Sequence, residues 1–121
     1  MAQQPQYCSA KHALVGLTRS CGQTFLDNDA ISVNCICPAF VETALCPEHV
    51  KAIFPREHIT PMSTVLKAFD TFIDDPKMTG QTVELSLGDM YFRKPPEWAN
   101  ASQEWLGSGS KEFWDEAFRS A

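Results

Sequence analysis

The stretch Tyr7-Cys8-Ser9-Ala10-Lys11-His12-Ala13-Leu14-Val15-Gly16-Leu17-Thr18-Arg19-Ser20 decides how the chain is read. It places a phenol and an ammonium four residues apart at the start of a helical pattern. Four residues is about one turn, so Tyr7 and Lys11 share a helix face and can interact. A cation beside a phenol favours the phenolate, the form a proton-transfer catalyst needs. The spacing is also common in ordinary exposed helix pairs, so the surrounding blocks must carry the assignment. Ala10, Ala13, Leu14, Leu17, Cys21, Phe25 and Leu26 recur near helical spacing and form one apolar stripe. They predict a helix over residues 7–26, ended by the turn formers Asp27, Asn28 and Asp29. Gly16 lies inside it. Either it admits a close neighbour or it is a weak point costing about 1 kcal/mol against alanine.

Downstream, Ile31, Val33, Cys35 and Cys37 alternate with Ser32, Asn34 and Ile36, which predicts a strand over 31–37. Cys35 and Cys37 fall on one face of it. Pro38 ends the strand, and ligands in open α/β sheets sit beyond such carboxyl ends. Residues 45–60 are irregular, with Pro47, Pro55 and a short amphipathic piece over 48–54. Thr60 reads as an N-cap with Pro61 at the first helical position, opening a helix to about Asp75. Val65, Leu66, Phe69, Phe72 and Ile73 form its apolar face, and Asp74-Asp75-Pro76 closes it. A second strand over 81–86 would pair parallel to the first, with the 60–75 helix in the crossover. Lys94-Pro95-Pro96 is a break. A last helix from about Ser110 follows, and Trp105, Phe113, Trp114 and Phe118 make this end rich in aromatics, read mainly as packing. Residues 1–6 are polar and read as an extended lead-in.

Three blocks together resemble the short-chain dehydrogenase/reductase family. The first is the opening stretch, which resembles the family's catalytic helix. The second, Ile31-Ser32-Val33-Asn34-Cys35-Ile36-Cys37-Pro38-Ala39-Phe40-Val41-Glu42-Thr43, resembles the strand and Pro-Gly-x-Val-x-Thr loop that follow it. The third, Met78-Thr79-Gly80-Gln81-Thr82-Val83-Glu84-Leu85-Ser86, resembles the last core strand, entered through Thr-Gly. The tail around Met90-Tyr91-Phe92-Arg93 leans toward the hydroxyprostaglandin dehydrogenase-like branch. The resemblance implies Tyr7 and Lys11 as the catalytic pair. It implies a cofactor-binding set of Lys11, Pro38, Ala39, Val41 and Thr43, a substrate lid in 45–60, and a structural role for Asn34. His49 and His58 in the lid are candidate substrate contacts, with exposed loop histidines the commoner case. Ala39 stands where the family usually has glycine; if the backbone there needs positive φ, alanine is strained.

In the family the Gly-rich loop, the acidic ribose-binding residue and the catalytic serine lie upstream of the tyrosine. Here six residues precede Tyr7. Gly107-Ser108-Gly109 follows no strand and fails the context test for a dinucleotide loop. The expected fold is therefore α/β, a truncated Rossmann-like arrangement equal to the C-terminal half of a doubly wound parallel sheet. One domain over 1–121 is expected, with a family-like core at 7–95 and an extension at 96–121.

Composition narrows the function classes. A net charge of −5 argues against a nucleic-acid partner, which would want a basic face. No apolar run reaches membrane-spanning length, and the N-terminus has no signal-peptide pattern. Five cysteines at irregular spacing suit reduced thiols and a cytoplasmic setting, and no metal site is expected. The leading expectation is NAD- or NADP-dependent oxidation or reduction of a hydroxyl/carbonyl substrate, with the nucleotide-binding half supplied from elsewhere. A second is a cofactor-free Tyr/Lys acid–base enzyme, an isomerase, dehydratase or cyclase. A third is a non-catalytic relative or an incomplete fragment. Two parallel strands would leave a sheet edge and a helix face bare, so a homo-oligomer or a partner chain is expected.

Overall fold

The structure is a computed structural model and describes residues 4–119. Helix α1 spans Pro5–Asp29, β1 Cys35–Pro38, α2 Glu48–Ile53, α3 Met62–Asp74, β2 Thr82–Ser86 and β3 Asp89–Phe92. Short helical pieces follow: α4 at Ala101–Glu104, a π-turn at Trp105–Gly109, and α5 at Lys111–Arg119. The sheet order is β1-β2-β3. Strands β1 and β2 run parallel, with Cys35 opposite Thr82 and Cys37 opposite Glu84. The α/β class and the parallel neighbours expected from the sequence are both present.

Four features differ from expectation. Helix α1 starts earlier, because Pro5 fits its first turn, where an N–H would have no partner anyway. Residues 1–3 of the expected lead-in lie outside the described residues. The helix also ends later, at Asp29, and is capped by Ala30, whose φ of 56° is left-handed and whose N–H reaches the Leu26 carbonyl. Strand β1 is shorter than 31–37. The Val33 N–H donates to Thr79 Oγ1 and its carbonyl accepts from the Gly80 N–H, so these groups are satisfied off the ladder. Thr60 is not the cap of α3. The N-cap position is Pro61, without a side-chain cap, and Thr60 Oγ1 instead accepts from the Leu87 N–H at 3.1 Å. Finally, β3 was not foreseen. It pairs antiparallel with β2 around Leu87 and Gly88, so the sheet has three strands rather than two.

The core lies between the sheet and α3. Val83 and Leu85 alternate onto that face and meet Ala68, with Ile36, Val65, Phe72 and Met90 around them. Helix α1 approaches by its small residues. Thr18 and Gly22 are its buried positions, and a Cβ on Gly22 would stand 2.6 Å from the Gly80 nitrogen. The expected leucine stripe does not make this contact: Leu14, Leu17 and Phe25 are exposed. Gly16 has nothing within 4 Å of where its Cβ would stand, so it admits no close neighbour.

Candidate active site

Tyr7 sits in the first turns of α1, and the chain leaving β1 passes in front of it. Tyr7 lines a cleft of about 710 Å³ together with Gln4, Pro38, Ala39, Phe40, Val41 and Thr43. Leu45, Cys46, Pro47, Val50 and Phe54 complete the wall. The fold thus brings Tyr7 to the carboxyl end of β1 and gathers four of the five expected cofactor-loop positions beside it.

The fifth, Lys11, does not line the cleft. Its Nζ lies 5.4 Å from the centroid of the Tyr7 ring, over the ring face. The one-turn spacing therefore produces a cation–π pair, with the ammonium reaching the phenol through its ring. Tyr7 is 52% exposed, so its hydroxyl is open to anything entering the cleft.

The loop after β1 is held from both ends. The Ala39 N–H donates to the Leu85 carbonyl and the Thr60 N–H to the Phe40 carbonyl, each at 2.8 Å. The Phe40 ring stacks on Phe54, with centroids 3.7 Å apart. Glu42 accepts from the Arg56 guanidinium at 2.7 Å, tying the loop to the turn at Arg56–His58. Thr43 accepts at Oγ1 from the Leu45 N–H and at its carbonyl from the Cys46 N–H, which makes a local turn. Ala39 is not among the non-glycine residues with positive φ, so alanine is accommodated here without backbone strain.

Asn34 is structural, as expected. Its amide donates to the Met78 carbonyl and accepts from the Gln81 N–H, which locks the entrance of β2 to that of β1. His49 and His58 are exposed and neither lines the cleft. Sequence reasoning missed Phe40, Val50 and Phe54 as site residues. Val50 and Phe54 are four apart in and just past α2, a helical pairing that could have flagged them.

On class, a parallel β1–β2 pair crossed by α3, with a Tyr-x-x-x-Lys helix opening on the end of β1, describes part of a doubly wound α/β fold. Residues 1–53 match the family model described as short chain dehydrogenase. The chain is similar to 15-hydroxyprostaglandin dehydrogenase [NAD(+)] of Bos taurus, 48% identical over 86 residues, which are 64% of this chain and 30% of that protein. It is 29% identical over 116 residues to the short-chain dehydrogenase/reductase prx6 of Penicillium rubens, covering 95% of this chain and 38% of that protein. The human 15-hydroxyprostaglandin dehydrogenase [NAD(+)] is 29% identical over 102 residues, again 38% of its length. Over these stretches the chain is similar to short-chain dehydrogenases/reductases, and it spans well under half the length of these relatives. Among the described residues no helix is long and apolar enough to cross a membrane.

Proposed function

We propose that this chain supplies the proton-transfer part of a nicotinamide-dependent site for a small hydroxyl or carbonyl substrate. The observation that carries this reading is the shared cleft: Tyr7 faces the 38–43 loop, and Lys11 stands over the Tyr7 ring. Two relatives carry NAD(+) in their names, which supports an NAD-type cofactor.

The residues present fit one end of such a cofactor. The cleft offers loop backbone, the Thr43 side chain and a flat apolar wall, which suit a nicotinamide ring. Pro38, Ala39, Val41 and Thr43 would hold that ring, and Lys11 would stand toward its ribose. Helix α1 begins at Pro5 beside the cleft without a glycine-rich turn, so a pyrophosphate cradle is left to residues beyond these. When bound, the cofactor would accept or donate hydride. Tyr7 takes the substrate hydroxyl proton in oxidation and returns it to the carbonyl oxygen in reduction. The Lys11 charge offsets the negative charge left on Tyr7 when its proton is away. Phe40, Val41, Leu45, Val50 and Phe54 give the cleft an apolar lining that suits a hydrocarbon-rich substrate.

The test is calorimetric titration of NAD⁺ and NADP⁺ into the chain, alongside turnover in Tyr7→Phe. Removing one hydroxyl should lower turnover by roughly 100-fold or more, the usual worth of a general acid–base group, with the melting curve unchanged. Unchanged turnover would remove Tyr7 from the chemistry. Activity without any cofactor would favour instead an isomerase-like use of the same pair.

A further inference from the structure

A second cluster lies on the face of β1 opposite the α3 core. Cys35 and Cys37 are two residues apart on one strand, and their Sγ atoms are 3.6 Å apart. Both are part-exposed. Opposite Cys35 in the register is Thr82, whose side chain therefore projects from the same face. Thr82 is 3% exposed, and its Oγ1 is buried without a hydrogen-bond partner. Beside Cys37 a shallow cleft of about 600 Å³ opens, lined by Ala39, Glu84, Ser86, Tyr91 and Arg93.

The spacing of the sulfurs decides what such a pair can do. Two sulfurs bound at about 2.3 Å to one pyramidal three-coordinate atom, at an angle of roughly 95°, stand roughly 3.4 Å apart. The observed span is within about 0.2 Å of that, so one bridging atom fits with almost no movement. A disulfide does not fit as well. It needs about 2.05 Å between sulfurs, and alternate residues of a strand hold their Cα atoms about 6.6 Å apart, near the upper limit for a bridge. A full metal cage is not built either: no group of three or more His, Cys, Asp or Glu able to hold a metal occurs among the described residues. Glu84, the nearest carboxylate, is taken by Arg93 at 2.7 Å. What remains is a centre satisfied by two thiols alone.

We propose that Cys35 and Cys37 form a two-thiol chelate for a trivalent arsenical. The condensation is balanced: an R–As=O group meets two thiols, both S–H bonds break, two As–S bonds form, and the arsenic oxygen leaves as water. No oxidant is consumed and arsenic keeps its oxidation state. Burial holds the Cys37 thiol up at about 11, with the contact to Cys35 adding to the shift. The Cys37 thiol is thus protonated at neutral pH, so its proton is available to the departing water and it reacts slowly with simple alkylating agents.

Phenylarsine oxide is the probe. The reduced full chain should take up one phenylarsine, and peptide mapping after exhaustive alkylation should find Cys35 and Cys37 protected in the treated chain but alkylated in an untreated control, while Cys8, Cys21 and Cys46 react in both. 2,3-Dimercaptopropanol should strip the adduct and excess mercaptoethanol should not. Cys35→Ser and Cys37→Ser should each weaken binding by roughly 100-fold or more, the loss of one of two linked contacts. The wild-type protection map stands even if a variant fails to fold. Protection of other cysteines, or full binding by either serine variant, would overturn the proposal. So would ready formation of a Cys35–Cys37 disulfide in glutathione disulfide that leaves no reduced pair to bind.

Discussion

Gly16 and Gly22 lie on the same helix and face opposite demands. Gly22 rests on the backbone of Gly80, where a Cβ would stand 2.6 Å from nitrogen and 2.7 Å from Cα. A backbone neighbour cannot swing aside as a side chain can, so the helix must shift. Gly22→Ala should therefore destabilise the chain by about 1–3 kcal/mol, the usual cost of overpacking, even though alanine is the better helix former. Gly16→Ala meets nothing and should stabilise by up to about 1 kcal/mol. Urea midpoints of the two variants should move in opposite directions. Equal midpoints would mean that α1 does not seat on Gly80.

Among elements, the β2–β3 hairpin is held by a partner outside the sheet. Leu87 opens its turn with φ 53°, a left-handed conformation that costs a branched side chain about 1–2 kcal/mol. Two threonines at the start of α3 hold it there. Thr60 Oγ1 accepts from the Leu87 N–H, and Thr64 Oγ1 donates to the Leu87 carbonyl at 2.8 Å. Thr60 is 1% exposed, so water cannot replace it. Thr60→Val keeps the shape and leaves the Leu87 N–H unpaired, at an expected cost of about 1–3 kcal/mol. Amide exchange should accelerate first at the hairpin. Uniform acceleration through α1 as well would show that Thr60 acts on the whole fold.

At the scale of the molecule, the core is small against the apolar surface left outside it. Only Ala68, Val83 and Leu85 are buried hydrophobics among the described residues. Leu14, Leu17 and Phe25 on α1 and Leu66, Phe69 and Ile73 on α3 remain exposed. Strand β1 is an edge, and a groove of about 490 Å³ runs beside it between Ile36, Phe69 and Ile73. The aromatic C-terminal segment packs mainly on itself: Trp98 lies on Gly107, and Trp105, Phe113, Trp114 and Phe118 contact one another in series, tilted, edge-on and stacked in turn. An uncovered edge beside apolar helix faces drives association. We propose that the working form is an oligomer or a complex with a second chain. Sedimentation velocity over a hundredfold concentration range should show mass rising with concentration. A cooperatively melting species of 13.5 kDa at every concentration would defeat this.

The sequence by itself determined the order helix, strand, helix, strand and the parallel pairing of the two strands. It also placed Tyr7 and Lys11 one turn apart and both thiols on one face of β1. The elements and these placements follow from local periodicity, which the backbone geometry of a single element enforces, and the parallel pairing follows from the helix that carries the chain between the two strands. Other features depend on neighbours distant in sequence. The α1 stripe of leucines reads as a buried face, yet the helix seats on Thr18 and Gly22, because Gly80 offers a backbone it can approach closely. Thr60 reads as a cap, yet a turn 27 residues away claims its oxygen. Val33 reads as strand, yet Thr79 and Gly80 satisfy its backbone off the ladder. Hydropathy says which side chains avoid water; which partner reaches them first is settled only when the whole chain is packed.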